Sequence, residues 1–170
     1  GRPSMGKSAL AQTIIFNNSI KKHIPGGLIS LEMDEFANVI RFIAMYTGIN
    51  IKNIRSGSLI DNQINHIIKF FDVFNDSQIY IDCAFSLTAF SLRNKAKILK
   101  KKFNIEYLII DYLQLMEGSS KESNRDQEIS KISRTCKSIA KELNIPVIAL
   151  AQLNREVEKR ANKRPQLSDL

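Results

Sequence analysis

The stretch GRPSMGKSAL at positions 1–10 constrains this chain more than any other. Gly1 to Ser8 fit the pattern G-x-x-x-x-G-K-[ST], which belongs between a strand and a helix and wraps phosphate groups. Gly1 and Gly6 let the backbone curve without a side chain in the way, and N–H groups opening the next helix point at the anion. Lys7 is then expected at the β- and γ-phosphates and the Ser8 hydroxyl on Mg²⁺. Arg2, Pro3, Ser4 and Met5 complete the candidate nucleotide loop. The amphipathic SALAQTIIF supplies the helix half of the context. No strand precedes the loop to supply the other half, so these residues alone leave an ordinary Gly-containing turn open.

The rest of the chain must therefore show whether a nucleotide fold surrounds the loop. A chain of 170 residues with 44% hydrophobic content is large enough for one domain with a core. No apolar run reaches membrane-spanning length and the first residues do not read as a signal peptide, so a cytoplasmic setting without a membrane is expected. Cys83 and Cys136 lie in different segments without metal-ligand spacing and read as reduced, packed thiols. The net charge of +8 suits a polyanion such as nucleic acid, or an acidic membrane surface. Much of it sits in RNKAKILKKK (93–102) and REVEKRANKR (155–164). The first run has no interleaved aromatic for base stacking and reads as a solvated helix face.

Apolar patterning predicts helices alternating with strands. A helix is expected from Lys7 to about Lys22, then a buried strand GLISLE (27–32). Asp34 caps a helix with Phe36, Val39, Ile40, Ile43 and Ala44 on its inner face. After a break at SGS (56–58) come a helix DNQINHIIKFFDVF and a strand QIYID (78–82). Thr88 opens a helix packing Leu92, Ala96, Leu99 and Phe103, followed by a strand EYLIID (106–111). A polar loop EGSSKESNRD precedes an amphipathic helix over 129–143, and IPVIALAQ is the last strand. The tail from Leu153 to Leu170 has no definite pattern. This alternation implies an α/β fold with a mostly parallel sheet flanked by helices.

Three further positions carry chemistry. In open α/β sheets ligands bind beyond the carboxyl ends of the strands, so Asp111, closing LIID, is placed to hold Mg²⁺ through water. Glu32 closes another apolar run and could orient and deprotonate an attacking water; Asp82 has the same local look, and position does not choose between them. Gln152 ends the last strand and offers an amide to a γ-phosphate. His23 and His66 are isolated and read as surface residues.

Together GRPSMGKS, SLEM, IIDYLQLM, GSSKESNRDQEISKISR, PVIALAQLNREVEKR and KRPQLSDL resemble, in order and spacing, the C-terminal motor domain of DnaB-type replicative DNA helicases. The resemblance implies a RecA-like P-loop NTPase core, assembled as a homo-hexameric ring on single-stranded and forked DNA, with ATP and Mg²⁺ between subunits. It implies Glu32 as the catalytic carboxylate in preference to Asp82. It also implies Asp111 and Ser8 at the metal, Gln152 as γ-phosphate sensor, and Arg41 lining the nucleotide site. Primase and a helicase loader are the implied partners, in a bacterial cytoplasm or a plastid stroma. Ser8 stands where Thr is frequent, Ala151 where Ser is usual, and Cys83 where an acidic residue is common.

The resemblance also makes the chain a single partial domain within a longer protein. An N-terminal domain, a linker, the strand before the loop and C-terminal strands are expected outside it, and the lost strand would leave two sheet neighbours unpaired. The main DNA-contacting loop is expected beyond Leu170, and no DNA-binding residue is assigned here. A RecA-type recombinase or clock-like ATPase shares the core but not the QLNREVEKR…RPQLSDL tail. Taken by itself, the 170-residue piece reads as a nucleotide- or DNA-binding module without turnover.

Overall fold

The computed structural model describes residues 6–84, 86–116, 125–153, 162 and 164. The candidate loop residues 1–5, the centre of the polar loop and nearly all of the tail beyond Leu153 lie outside them. Helix α1 (Lys7–Ile15) runs on as a π-helical turn over Phe16–Ile20. Strand β1 (Gly26–Ser30) and helices α2 (Glu35–Thr47), α3 (Ile51–Ser56) and α4 (Asp61–Asn75) follow. Next come β2 (Ile79–Cys83), α5 (Ala89–Phe103), β3 (Tyr107–Asp111), α6 (Arg125–Leu143) and β4 (Val147–Ala149).

The four strands are all parallel, in the order β2-β1-β3-β4. The edges of the described sheet are β2 and β4. Alternation along the central strands divides the core. Leu28 of β1 and Tyr107 and Ile109 of β3 face α1, α2 and α4, packing with Ile15, Phe42 and Phe70. Ile29, Leu108 and Ile110 face α5 and α6, packing with Leu92, Ala96, Ile132 and Ile139. Such full burial on both faces is what a central parallel strand requires.

Local chemistry sets the element ends. The Asp34 carboxylate accepts from the Ala37 N–H at 2.6 Å, and Thr88 Oγ1 accepts from the Ser91 N–H at 3.2 Å. Gly26 has no room for a side chain, because an added Cβ would overlap the Tyr107 ring. The Tyr107 hydroxyl is instead hydrogen-bonded to Ser19 Oγ at 2.6 Å.

Several expectations need correction. Phe36 lies in the first turn of α2 and is 73% exposed, whereas Phe42 is fully buried. The short helix α3 escaped the periodicity, and α6 starts at Arg125, inside the expected polar loop. Strand β1 stops at Ser30, two residues before Glu32, and β4 stops at Ala149, three before Gln152. The apolar runs are longer than the strands because the residues following each strand are also buried or half-buried at the sheet edge.

Three cations of the run 93–102 are paired within the fold, and the run 155–164 lies almost wholly outside the described residues. Arg93 and Lys97 both pair with Glu142, and Lys95 pairs with Asp82, each at 2.6 Å. Both cysteines are free, and burial pushes the Cys136 thiol up to about 11, so it stays protonated. His23 and His66 are exposed. Among the described residues no helix is long and apolar enough to cross a membrane.

Candidate functional site

A cluster of charged side chains forms at the C-terminal edge of the sheet, where α1 begins. Gly6, before the first residue of α1, has φ 80° and ψ 22°, a left-handed conformation that glycine adopts without strain. The turn brings Lys7 and Ser8 over the ends of β1 and β3. In the parallel register Ser30 of β1 lies opposite Asp111 of β3, and the Leu31 N–H donates to the Asp111 carbonyl at 2.8 Å. That bond carries the chain from β1 into a bend and sets Glu32 on the same edge as Asp111.

Lys7 Nζ lies 3.7 Å from Glu32 Oε2, 4.0 Å from Asp111 Oδ1 and 3.0 Å from the centre of the Tyr112 ring. The Ser8 hydroxyl donates to Glu32 Oε2 at 3.4 Å. The first turn of α1, the bend after β1 and the end of β3 thus meet at Lys7. The Lys7 and Asp111 side chains are only 10% and 5% exposed, while Glu32 is 47% exposed. A basic and two acidic groups meet here with only one carboxylate open to solvent.

Burial dominates the electrostatics. It pulls the Lys7 ammonium below its ordinary range, against the attraction of Asp111 and Glu32. It pushes the Asp111 carboxyl above its ordinary range, opposed by the Ser8 hydroxyl, Lys7 and Arg41 and reinforced by Glu32. Both members of a nominal ion pair are therefore destabilised in their charged forms, and at 4.0 Å they do not repay each other's desolvation. Asp111 Oδ1 is buried without a hydrogen-bond partner among the described residues. An orphaned carboxylate oxygen beside a serine hydroxyl is a hard-oxygen donor set that fits a small divalent cation. No group of three or more His, Cys, Asp or Glu forms a closed metal site among the described residues. A cation held by this pair would need further oxygen ligands from outside it, as Mg²⁺ commonly takes from water and substrate.

Asp82 behaves differently. Its two oxygens take Lys95 Nζ at 2.7 and 2.6 Å, which ties it to α5. Arg41 projects from α2 toward α1, with Nη1 3.5 Å from Gln12 Oε1. Gln152 lies past β4, and its backbone is held by a side chain from the far side of the β3 turn. Gln114 Nε2 donates to the Gln152 carbonyl at 2.8 Å, and the Gln152 N–H donates to Gln114 Oε1 at 2.9 Å.

Two residues that sequence reasoning missed support the cluster from beneath. Gln12 and Asn38 are each 2% exposed. Gln12 Nε2 donates to Asn38 Oδ1 at 2.8 Å, and Asn38 Nδ2 donates to the Asp34 carbonyl at 2.9 Å and Ser30 Oγ at 3.2 Å. Ser30 Oγ in turn donates to the Met33 carbonyl at 2.7 Å. The pair links α1, which starts with Lys7, to the bend that carries Glu32. Their signal was a polar residue on an otherwise apolar helix face, which periodicity discards. A cavity of about 60 Å³ lies beside this bend, lined in part by Glu32, Met33 and Cys83.

Comparison with known proteins agrees with this geometry. The family described as DnaB-like helicase C terminal domain matches residues 1–170. The replicative DNA helicase DnaB of Rickettsia felis is 42% identical over 180 residues, covering 100% of this chain and 36% of its own length. The replicative DNA helicase DnaC of Bacillus subtilis is 41% identical, over 99% of this chain and 37% of its own. The chain therefore spans about a third of the curated relatives it matches. A solved DnaB-like replicative helicase, described with its interactions with primase, superposes with a TM-score of 0.89 at 35% identity, over 99% of this chain and 41% of that one. A second solved structure, described as an ATPase domain, gives the same score and identity, over 99% of this chain and 60% of that one. The matched family, the shared RecA-like architecture and the convergence on Lys7 agree: the chain belongs to the DnaB-like helicase C-terminal domain family.

Proposed function

We propose that this chain is the ATP-driven motor of a replicative DNA helicase, working within a longer protein that unwinds duplex DNA while translocating on a single strand. The observation that carries this reading is the meeting of Lys7, Glu32 and Asp111 at one sheet edge, with Lys7 and Asp111 buried and mutually unsatisfied. Such a site gains most from a ligand that brings both negative phosphate oxygens and a cation.

In this reading residues 1–8 cradle the phosphates, and Lys7 exchanges its carboxylate neighbours for the γ-phosphate. Ser8 and Asp111 hold Mg²⁺, which when bound spreads the negative charge of the transferring phosphoryl group. Glu32 is the open carboxylate and takes the proton of the attacking water. Arg41 adds positive charge along the α2 wall of the site, and Gln152 senses the γ-phosphate. The resemblance supports a homo-hexamer with an arginine supplied by a neighbouring subunit, single-stranded and forked DNA as track, primase and a loader as partners, and a cytoplasmic setting.

The test is MgATP hydrolysis by the full-length protein with and without a dT oligonucleotide, together with unwinding of a forked duplex. DNA-stimulated turnover and unwinding, both lost in Lys7→Ala, are expected. Strand exchange without unwinding would instead assign the protein to the recombinases.

A further inference from the structure

Beyond Asp111 and Ala149 the strands β3 and β4 have ended, yet their chains stay joined. The Leu150 N–H donates to the Ile110 carbonyl and the Leu113 N–H donates to the Leu150 carbonyl, each at 2.9 Å. At the next step the backbone after β3 has turned into a 3₁₀ segment, Leu113–Leu115, and no longer offers a ladder partner. The Gln114 side chain takes over. Its amide meets the main-chain carbonyl and N–H of Gln152 with one donated and one accepted bond, at 2.8 and 2.9 Å, across 38 residues of sequence. A side-chain carboxamide paired this way imitates a further backbone rung, and glutamine combines the reach with the donor–acceptor pair that this requires.

Gln114 stands three residues after Asp111, within a single tight turn. Its two bonds therefore fix the residue proposed to sense the γ-phosphate relative to the residue proposed to hold the cation. We infer that Gln114 is a positioning residue, which sets the backbone of Gln152 against the Asp111 turn so that loss of the γ-phosphate at one is felt at the other. This inference rests on the reading of the chain as an ATP-driven motor. Gln114 does not touch the nucleotide in this account; it acts through Gln152.

The experiment uses the full-length protein and four forms: unmodified, Gln114→Met, Gln152→Met and the double variant. Methionine at 114 keeps the length and removes both hydrogen bonds to Gln152, whereas at 152 it removes the side-chain amide and leaves the bonded backbone in place. Each form is measured for MgADP affinity, for kcat and KM of MgATP hydrolysis, and for the ratio of dT-oligonucleotide affinities with a non-hydrolysable ATP analogue and with ADP. Gln114→Met is expected to leave MgADP affinity within about twofold and to lower kcat about tenfold, the loss given by about 1.4 kcal/mol. It should also collapse the affinity ratio toward one, and the double variant should be no worse than Gln152→Met. A merely structural role predicts lower thermal stability with the ratio intact, and that result, or additive losses in the double variant, would overturn the inference. If Gln114→Met does not fold, Gln114→Glu, which keeps the acceptor for the Gln152 N–H but loses the donor, carries the same comparison. Absence of ATP turnover in the unmodified protein would count against the motor reading itself; a normal unmodified protein beside a normal Gln114→Met would count against Gln114 alone.

Discussion

Glu32 and Asp82 sit at the carboxyl ends of neighbouring parallel strands, and their surroundings separate them. Asp82 belongs to the edge strand β2, and both its oxygens are taken by Lys95 from α5. Glu32 follows the inner strand β1, is 47% exposed, and has Lys7 and Ser8 as its neighbours at 3.7 and 3.4 Å. One carboxylate is neutralised by the helix that follows it, and the other lies beside the first turn of α1. The partners, rather than the position at a strand end, distinguish the paired Asp82 from Glu32, the proposed catalytic carboxylate.

The largest effect that would break this contrast is at the centre of the cluster. Lys7→Ala should weaken MgATP binding by roughly tenfold or more, equivalent to at least about 1.4 kcal/mol, and abolish turnover, since the group proposed to exchange carboxylates for phosphate is gone. Titration calorimetry checks the binding. Retained affinity would mean that the cluster is not the phosphate site.

Next comes the amide pair beneath it. Asn38→Leu leaves the Gln12 amide buried without its partner and should cost about 1–3 kcal/mol in urea unfolding. Gln12→Met combined with Asn38→Leu removes both polar groups and should recover part of that loss. A double variant as unstable as the sum would show that the two amides do not act as a pair.

Asp111→Asn should act in opposite directions on stability and activity. The folded protein holds the Asp111 proton more tightly than the unfolded chain does, so burial of the charge weakens the fold at neutral pH. That penalty is present above the raised folded value and is relieved as pH falls through it toward the usual 3.8. Asp111→Asn should therefore raise the melting temperature without nucleotide by roughly 2–4 °C, the shift that about 1 kcal/mol produces in a domain of this size. The gain should shrink as pH falls, and turnover should be lost. A lower melting temperature at neutral pH would show that Asp111 is stabilised by its surroundings. The smallest effect is expected at the other carboxylate. The Lys95–Asp82 pair is part-exposed, so Asp82→Asn should cost less than about 1 kcal/mol in the same urea unfolding measurement.

Much of this was legible in the amino-acid order. The Gly6, Lys7 and Ser8 signature, the apolar runs ending near Glu32 and Asp111, and the caps at Asp34 and Thr88 appear where local chemistry put them. The ends of β1 and β4 were not, because Leu31 and Leu150 are apolar for reasons of sheet-edge packing and extend the runs past the ladder. Phe36 was placed on the inner face of α2 although it is exposed, because periodicity reports a face without saying which turn of the helix reaches the core. Gln12, Asn38 and Gln114 look like ordinary polar residues in sequence; only the fold brings their amides onto partners 26 and 38 residues away. The pairing of Asp82 was likewise illegible, because it depends on Lys95, which the fold of α5 against β2 carries to it.

Single-turnover hydrolysis of pre-bound MgATP by the full-length protein, in Glu32→Gln and Asp82→Asn side by side, tests the proposed choice of Glu32 over Asp82 most directly. Glu32→Gln should bind ATP within a few-fold of the unmodified protein yet hydrolyse it about 10²–10⁴ times more slowly, the range a general base contributes. Asp82→Asn should hydrolyse it within about twofold of the unmodified rate, as expected for a part-exposed ion pair away from the reacting atoms. Rapid hydrolysis by Glu32→Gln, or its loss in Asp82→Asn, would contradict the account.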